Sequence, residues 1–279
     1  LLGIDLPGVD TGIDTAPEAA IGIIIFVYLL AAWFNTRIPH TGVEMRPLRT
    51  NPSRNVLANT LALLPDFWAC NNRLWRDKLG QISLSTTTLF WGAGGNLKFI
   101  VLAWAAVALG YNTTQASALT GVVAIGTAVG AVVASMRMRL DAATKVIPLG
   151  IAMGLLLILM VFINNIWLAI PFLILLGGLG GYLVVPMNAL LQHRGHNLMG
   201  AGRSIAVQNF NEQACILGLG AFYSLSLKLG LSVFGAITAF GLVVAGTMWL
   251  IRRWHISNCH RHREEVEHLL HIARQDHHH

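Results

Sequence analysis

Seven stretches of this 279-residue chain are long and apolar enough to cross a lipid bilayer: residues 17–34, 82–109, 116–136, 146–163, 166–191, 205–227 and 231–251. A membrane-crossing helix needs about 20 such residues. The runs are unbroken and do not alternate, so they predict helices rather than strands. The gap from 35 to 81 is far longer than the others. Within it, Leu57, Leu61, Leu64, Trp68, Trp75 and Leu79 recur at helical spacing. Asn59, Asn72, Arg73, Arg76 and Asp77 fall on the opposite face. Pro65 suits the first turn of a second helix. This gap therefore predicts amphipathic helices lying at the surface of the inner leaflet.

Composition agrees with this class. The chain is 54% hydrophobic and 11% charged, against roughly a quarter charged residues in soluble domains. Its mean hydropathy is +0.60. All nineteen lysines and arginines except Lys98 and Lys228 fall in alternate gaps: 35–81, 137–145, 192–204 and the tail after 251. The other gaps hold Asp5, Asp10 and Asp14, or short uncharged turns. Basic residues favour the cytoplasmic side, so the pattern places the N-terminus outside and the C-terminus in the cytoplasm. The net charge of +6 then reports topology and contact with anionic membrane lipids, not nucleic acid.

The chain starts with Leu1 and Leu2, on the outer side, with an odd number of spans. These features predict a C-terminal piece of a longer protein. The expected organisation is an outer leader at 1–16, the last helix of a missing N-terminal half at 17–35, and a cytoplasmic amphipathic linker at 36–81. A six-helix transporter half at 82–252 and a cytoplasmic, histidine-rich tail at 253–279 complete it. The fold class is an all-α membrane protein, its last six spans forming one repeat of a twelve-helix transporter.

Two charged residues lie deep in the spans, Lys98 and Glu212. A lysine at mid-bilayer costs about 2.5–3.5 kcal/mol on insertion scales, so it must face protein, water or a partner. Trp91, Gly94, Gly95, Leu102 and Ala105 share its face, and Asn96 is close by. A cation in a notch of small residues is suited to an anion such as phosphate. Alternatives are an ion pair with Glu212 or snorkelling towards the interface. Gln208, Asn209, Asn211, Glu212 and Gln213 form a polar run opening the sixth span. Gln208, Asn211 and Glu212 share one face, and Asn188 and Gln192 lie one turn apart in the fifth span. These groups predict either a cavity lining or hydrogen bonds between helices.

Glycines mark candidate moving parts. Gly177, Gly178, Gly180 and Gly181, followed by Pro186, make the fifth span easy to bend. Gly126 with Gly130, and Gly177 with Gly181, are also small-residue pairs at the spacing that lets helices pack closely. The tail holds Cys259, His260, His262, His268 and His271 without a strong metal-ligand spacing. Its Val266, Leu269, Leu270 and Ala273 predict a surface helix instead. Cys70, Cys215 and Cys259 have no paired spacing and are expected to be free thiols. No nucleophile, phosphate-loop or dinucleotide motif is present, so no enzyme activity and no cofactor are expected.

Leu89, Phe90, Trp91, Gly92, Ala93 and Gly94 open a family resemblance. The run from Val184 through Pro186, Asn188 and Gln192 to Arg194 and Gly195 continues it. Gly200, Ala201, Gly202, then Ile205, Ala206, Val207, Gln208, Asn209 and Glu212 complete it. Over residues 17–250 the chain resembles the bacterial lysophospholipid transporter family of the major facilitator superfamily. The resemblance implies a flippase in the bacterial inner membrane. It would move lysophosphatidylethanolamine-type lipids to the cytoplasmic leaflet by alternating access. An acyltransferase–acyl carrier synthetase system would then reacylate them. In that family the position matching Lys98 commonly carries Arg and is associated with the lipid head group; Lys keeps the charge without the planar fork. The implied partners are the lysophospholipid, membrane lipids and the N-terminal half of the same transporter. A proton- or sodium-coupled exporter of amphipathic compounds, or a non-transporting membrane scaffold, are the alternatives from the residues themselves.

Overall fold

A computed structural model describes residues 16–38 and 56–275. The leader, the basic stretch 39–55 and the last four residues lie outside the described residues. The chain divides into two units, the second beginning at Asn55.

The first unit contributes helix α1, Ala16–Asn35. Its 20 residues match the ~30 Å of a bilayer core at 1.5 Å per residue. The helix ends in a turn where Thr36 Oγ1 donates to the Trp33 carbonyl at 2.7 Å. There the Arg37 guanidinium lies 4.8 Å from the Trp33 ring, a pairing suited to a membrane interface.

The second unit contains α2 (Val56–Ala62), α3 (Leu64–Arg76), α4 (Gly80–Ala108), α5 (Thr113–Arg137), α6 (Ile147–Met160), α7 (Ile166–Met199), α8 (Ala201–Lys228), α9 (Val233–Arg261) and α10 (Arg263–Gln275). A 3₁₀ segment, Leu140–Val146, leads into α6. All described structure is helix, turn or loop, as the apolar pattern predicts. The long helices form three close pairs: α5 with α7, α6 with α9, and α4 with α8. Helix α4 also touches α5, α6, α7 and α9, so it stands at the centre. Trp104, Ile100, Leu173, Leu176, Leu183 and Phe240 fill the core. Large apolar side chains also cover the outside, among them Ile125, Val129 and Val132 on α5 and Leu242 and Leu250 on α9. A bilayer, not water, is the matching solvent for that surface, and this is a multi-pass membrane protein.

Among the described residues, six helical segments have the length and composition to cross a membrane: α1, α4, α5, the 3₁₀ segment with α6, α7 and α9. The seventh expected span, α8, is 28 residues long. Its polar run at 208–213 keeps it out of that set. Several helices extend beyond the apolar stretches. The polar residues after Leu191 end the hydrophobic run but not the helix, so α7 continues to Met199 and only Gly200 separates it from α8. Gly200 has φ +86°, a left-handed conformation that glycine adopts without strain. For the same reason α9 passes Ile251 and reaches Arg261.

The stretch before α4 packs more intimately than its amphipathic stripe suggests. Leu57, Leu61, Leu64 and Trp68 are exposed, in keeping with an interfacial face. Cys70 and Leu74, however, turn inward and join Leu84, Leu191, Met199 and Val207 in a second apolar cluster. Asp77 was expected on the polar face, and its placement corrects that reading. It accepts from Arg194 Nη2 at 2.6 Å and Nε at 3.2 Å. Both side chains are buried, at 7% and 6% exposure. Asp77 Oδ1 also accepts from the Gly80 amide at 2.7 Å, capping α4. The hydroxyls of Ser83, Ser85, Thr86 and Thr87 donate to carbonyls three or four residues earlier in α4, so their burial leaves no open donors.

Helix α10 docks through Val266, Leu269 and Ala273, all buried, confirming the tail stripe. Arg274 Nε donates to Asp141 Oδ2 at 3.1 Å, tying the helix to the 3₁₀ segment. Such exposed pairs contribute about 0.2–1 kcal/mol. Arg274→Ala is therefore expected to speed amide exchange across 263–275 by about two- to fivefold, read by mass spectrometry. Unchanged exchange would assign docking to the apolar face alone. The three cysteines are free thiols, Cys70 being buried. Among the described residues, no group of three or more His, Cys, Asp or Glu side chains is arranged to hold a metal.

Candidate functional site

Helix α4 presents Lys98 on an exposed strip. Trp91 is 42% exposed, and a Cβ built at Gly94 would meet nothing within 4 Å. The predicted notch beside the ammonium is thus open at Gly94. Gly95 turns away and packs against Ile216 of α8. Leu102 is half-buried and Ala105 fully buried, so the Lys98 strip is narrower than the spacing alone implies. Lys98 Nζ lies 4.9 Å from the centroid of the Phe99 ring. Among the described residues Lys98 forms no ion pair, and the alternative pairing with Glu212 is not seen.

Asn96 does not join this strip. It is buried, and its Nδ2 donates to the Gly92 carbonyl at 2.8 Å and to the Ile216 carbonyl of α8 at 3.0 Å. A Cβ at Gly92 would run into Cys215, and one at Gly220 would come within 2.7 Å of Asn96 Oδ1. The small residues of α4 and α8 therefore let Asn96 bridge the two backbones.

The polar residues of α8 separate into two groups. Gln208 Nε2 donates to Asn188 Oδ1 of α7 at 2.7 Å and to Glu212 Oε1 at 2.8 Å. Gln208 and Glu212 are both 7% exposed. Asn211 points elsewhere: its Nδ2 donates to Asn71 Oδ1 of α3 at 2.8 Å, and its Oδ1 accepts from Trp75 Nε1 at 3.3 Å. Gln192 is exposed one turn beyond Asn188 and stands outside both groups. The structure thus brings Asn188, Gln208 and Glu212 together. It sends Asn211 to the surface helix and leaves Lys98 separate from them. The Asn71 and Trp75 partners were not legible beforehand, because 140 and 136 residues separate them from Asn211.

The glycine run of α7 packs against α5. A Cβ at Gly177 would collide with the Val123 carbonyl oxygen, and one at Gly181 with that of Thr127. On the α5 side, Gly126 meets the Ile174 carbonyl and Gly130 that of Gly178. Gly180 instead faces Phe90 and Met153. Helix α7 runs unbroken through this segment and through the buried Pro186. Pro186 lacks an N–H and leaves one backbone carbonyl without its helical partner.

Comparison with known proteins adds to this geometry. No family model matches the chain, and no solved structure matches it. Curated proteins do match. The lysophospholipid transporter LplT of Yersinia pestis (strain Pestoides F) is 37% identical over 216 residues, covering 77% of this chain and 51% of the relative. The protein of the same name from Yersinia pseudotuberculosis serotype O:3 (strain YPIII) matches with the same identity and coverage. The chain spans about half the length of the curated relatives it matches.

Proposed function

Because this chain belongs with the lysophospholipid transporter family, we propose that it forms part of a protein that moves lysophospholipids across a membrane. Its arginine-rich end faces the cytoplasm of a bacterial inner membrane, and the C-terminal helix lies on that side. Together with an N-terminal half it carries lysophosphatidylethanolamine-type lipids to the inner leaflet, where an acyltransferase–acyl carrier synthetase reacylates them.

The observation that supports this reading best is Lys98. Its ammonium stands exposed halfway along an apolar helix, beside an open glycine notch and a tryptophan. An unpaired cation is costly in hydrocarbon. It becomes favourable where two halves enclose a watery cavity and an anionic head group enters. Trp91 offers a face for the glycerol or upper acyl region. Asn188, Gln208 and Glu212 form a polar wall on α7 and α8, and Gln192 extends it. Transport proceeds by alternating access, with the acyl chain kept in apolar grooves. The close contact along Gly177 and Gly181 lets α7 slide on α5, and Pro186 with Gly178 and Gly180 gives it room to bend.

The test is uptake of a fluorescent lysophosphatidylethanolamine into proteoliposomes holding both halves. Lys98→Ala is expected to lower the rate at least about tenfold, the scale of one lost charge-assisted contact. Lys98→Arg is expected to retain most of it. Wild-type rates in the Ala variant would remove Lys98 from the mechanism.

A coupled exporter draws support from Glu212, a carboxylate buried among amides. Under that reading Glu212 takes the coupling ion, and uptake that ignores both proton and sodium gradients counts against it.

A further inference from the structure

At the arginine-bearing end of the bundle, a cavity of about 330 Å³ opens between the last turn of α5, the start of the 3₁₀ segment and the C-terminal half of α7. That volume falls within the roughly 300–1,000 Å³ of small-molecule sites. None of its lining residues belongs to the Lys98 strip or to the polar group around Gln208. Leu140, Val185 and Ala189 are among the apolar walls, while Ser135, Arg139 and His193 supply polar groups.

Arg139, the charged residue in this lining, shares its carboxylate partner with a second guanidinium. Asp141 is held by two guanidinium groups, Arg274 at 3.1 Å and Arg139 at 3.4 Å. One carboxylate therefore serves two cations. Its side chain is only 16% exposed, whereas that of Arg139 is 63% exposed. Asp141 keeps a partner in Arg274 when Arg139 turns away. Arg139 is thus free to change partners without leaving the half-buried Asp141 carboxylate unpaired. An anion at the mouth would meet the surplus charge, and an apolar chain attached to it would line the walls.

We propose that this cavity binds a single-chain amphiphile with an anionic head, the head on Arg139 and the chain between α5 and α7. The site shares Pro186 with the α7 bend of the transport reading but requires neither Lys98 nor flux. The shared chemistry, an anion at a guanidinium, also fits a free inorganic anion, and the experiment separates the two sources.

The chain is reconstituted in detergent with lysophosphatidylglycerol carrying a diazirine in its acyl chain. After illumination, labelled peptides are mapped by mass spectrometry. Labelling is expected to concentrate on 134–140 and 185–193. Excess unlabelled lysophosphatidylglycerol should displace it at least about tenfold better than lysophosphatidylcholine, whose head is neutral overall. Arg139→Gln should lower labelling about fivefold or more, and Ala189→Trp should abolish it by filling the cavity. Arg139→Gln alters an exposed side chain and decides the matter alone if Ala189→Trp does not fold. Lys98→Ala should leave these peptides labelled, so failure of the transport reading would not imitate failure here. Labelling equal to that of the lipid-facing Val129 and Val132, or indifferent to Arg139→Gln, would overturn the proposal. Displacement by inorganic phosphate alone would reduce the site to a simple anion contact and overturn it equally.

Discussion

Valine at Gly130 or Gly181 is expected to eliminate folded, monodisperse protein. Each new side chain would enter space held by a carbonyl oxygen of the facing helix, from Gly178 or Thr127. Backbone atoms cannot turn aside as a side-chain tip can. The helices must part along the whole α5–α7 seam. Overpacking by a few methyl groups costs about 1–3 kcal/mol where side chains can adjust. Here the expected loss exceeds about 3 kcal/mol, a large share of the 5–15 kcal/mol that usually holds a domain together. Fluorescence-detected gel filtration before and after heating reads the outcome. Gly121→Ala serves as the control, because a Cβ there meets nothing within 4 Å. It should be neutral or slightly stabilising, as glycine in a helix costs about 0.5–1 kcal/mol against alanine. If Gly130→Val melted like the wild type, the seam would not be a backbone contact.

The second large effect concerns Asp77 and Arg194. Removing either partner leaves the other charge buried at 6–7% exposure. Losses of that kind run to about 3–5 kcal/mol. Asp77→Ala also deletes the cap on Gly80, adding about 1 kcal/mol. Arg194→Ala should therefore be the milder single change. The double variant should be clearly more stable than the sum of the two losses, because no orphan charge remains. Melting temperatures of the four proteins in one detergent decide it. Additive losses would show that the two groups do not depend on each other. Asp77 is fixed to the start of α4, so loosening it also releases α3 from α7 and α8.

The sequence revealed what depends on local spacing. Long apolar runs marked the spans because each must satisfy its own backbone in lipid. Gly126 and Gly130, with Gly177 and Gly181, were readable as packing positions, since four-residue spacing puts both on one helix face. Pro65 marked the start of α3 for an equally local reason. Distant pairings were not visible. Nothing near Asp77 points to a partner 117 residues away. The apolar spacing of α3 marks one face, yet Cys70 and Leu74 make a second. Small polar steps hid that face, since Asn71 and Asn72 interrupt the count. Helices outrun their apolar stretches where hydrophobicity stops before the hydrogen bonding does, as at Leu191 and Ile251. For the site, the types of residue were legible but their grouping was not. Asn96, read as a companion of Lys98, holds two helices together, and Asn211 serves the surface helix.

The single-residue link at Gly200 has a bearing on biogenesis. Helix α8 carries amides and a carboxylate that would resist entering lipid one helix at a time. Its neighbour α7 is strongly apolar and brings Asn188 to receive Gln208. A tether this short makes the two a hairpin from the moment of synthesis. Insertion machinery would therefore meet them as one unit, with the polar groups already matched before either helix is released into the bilayer.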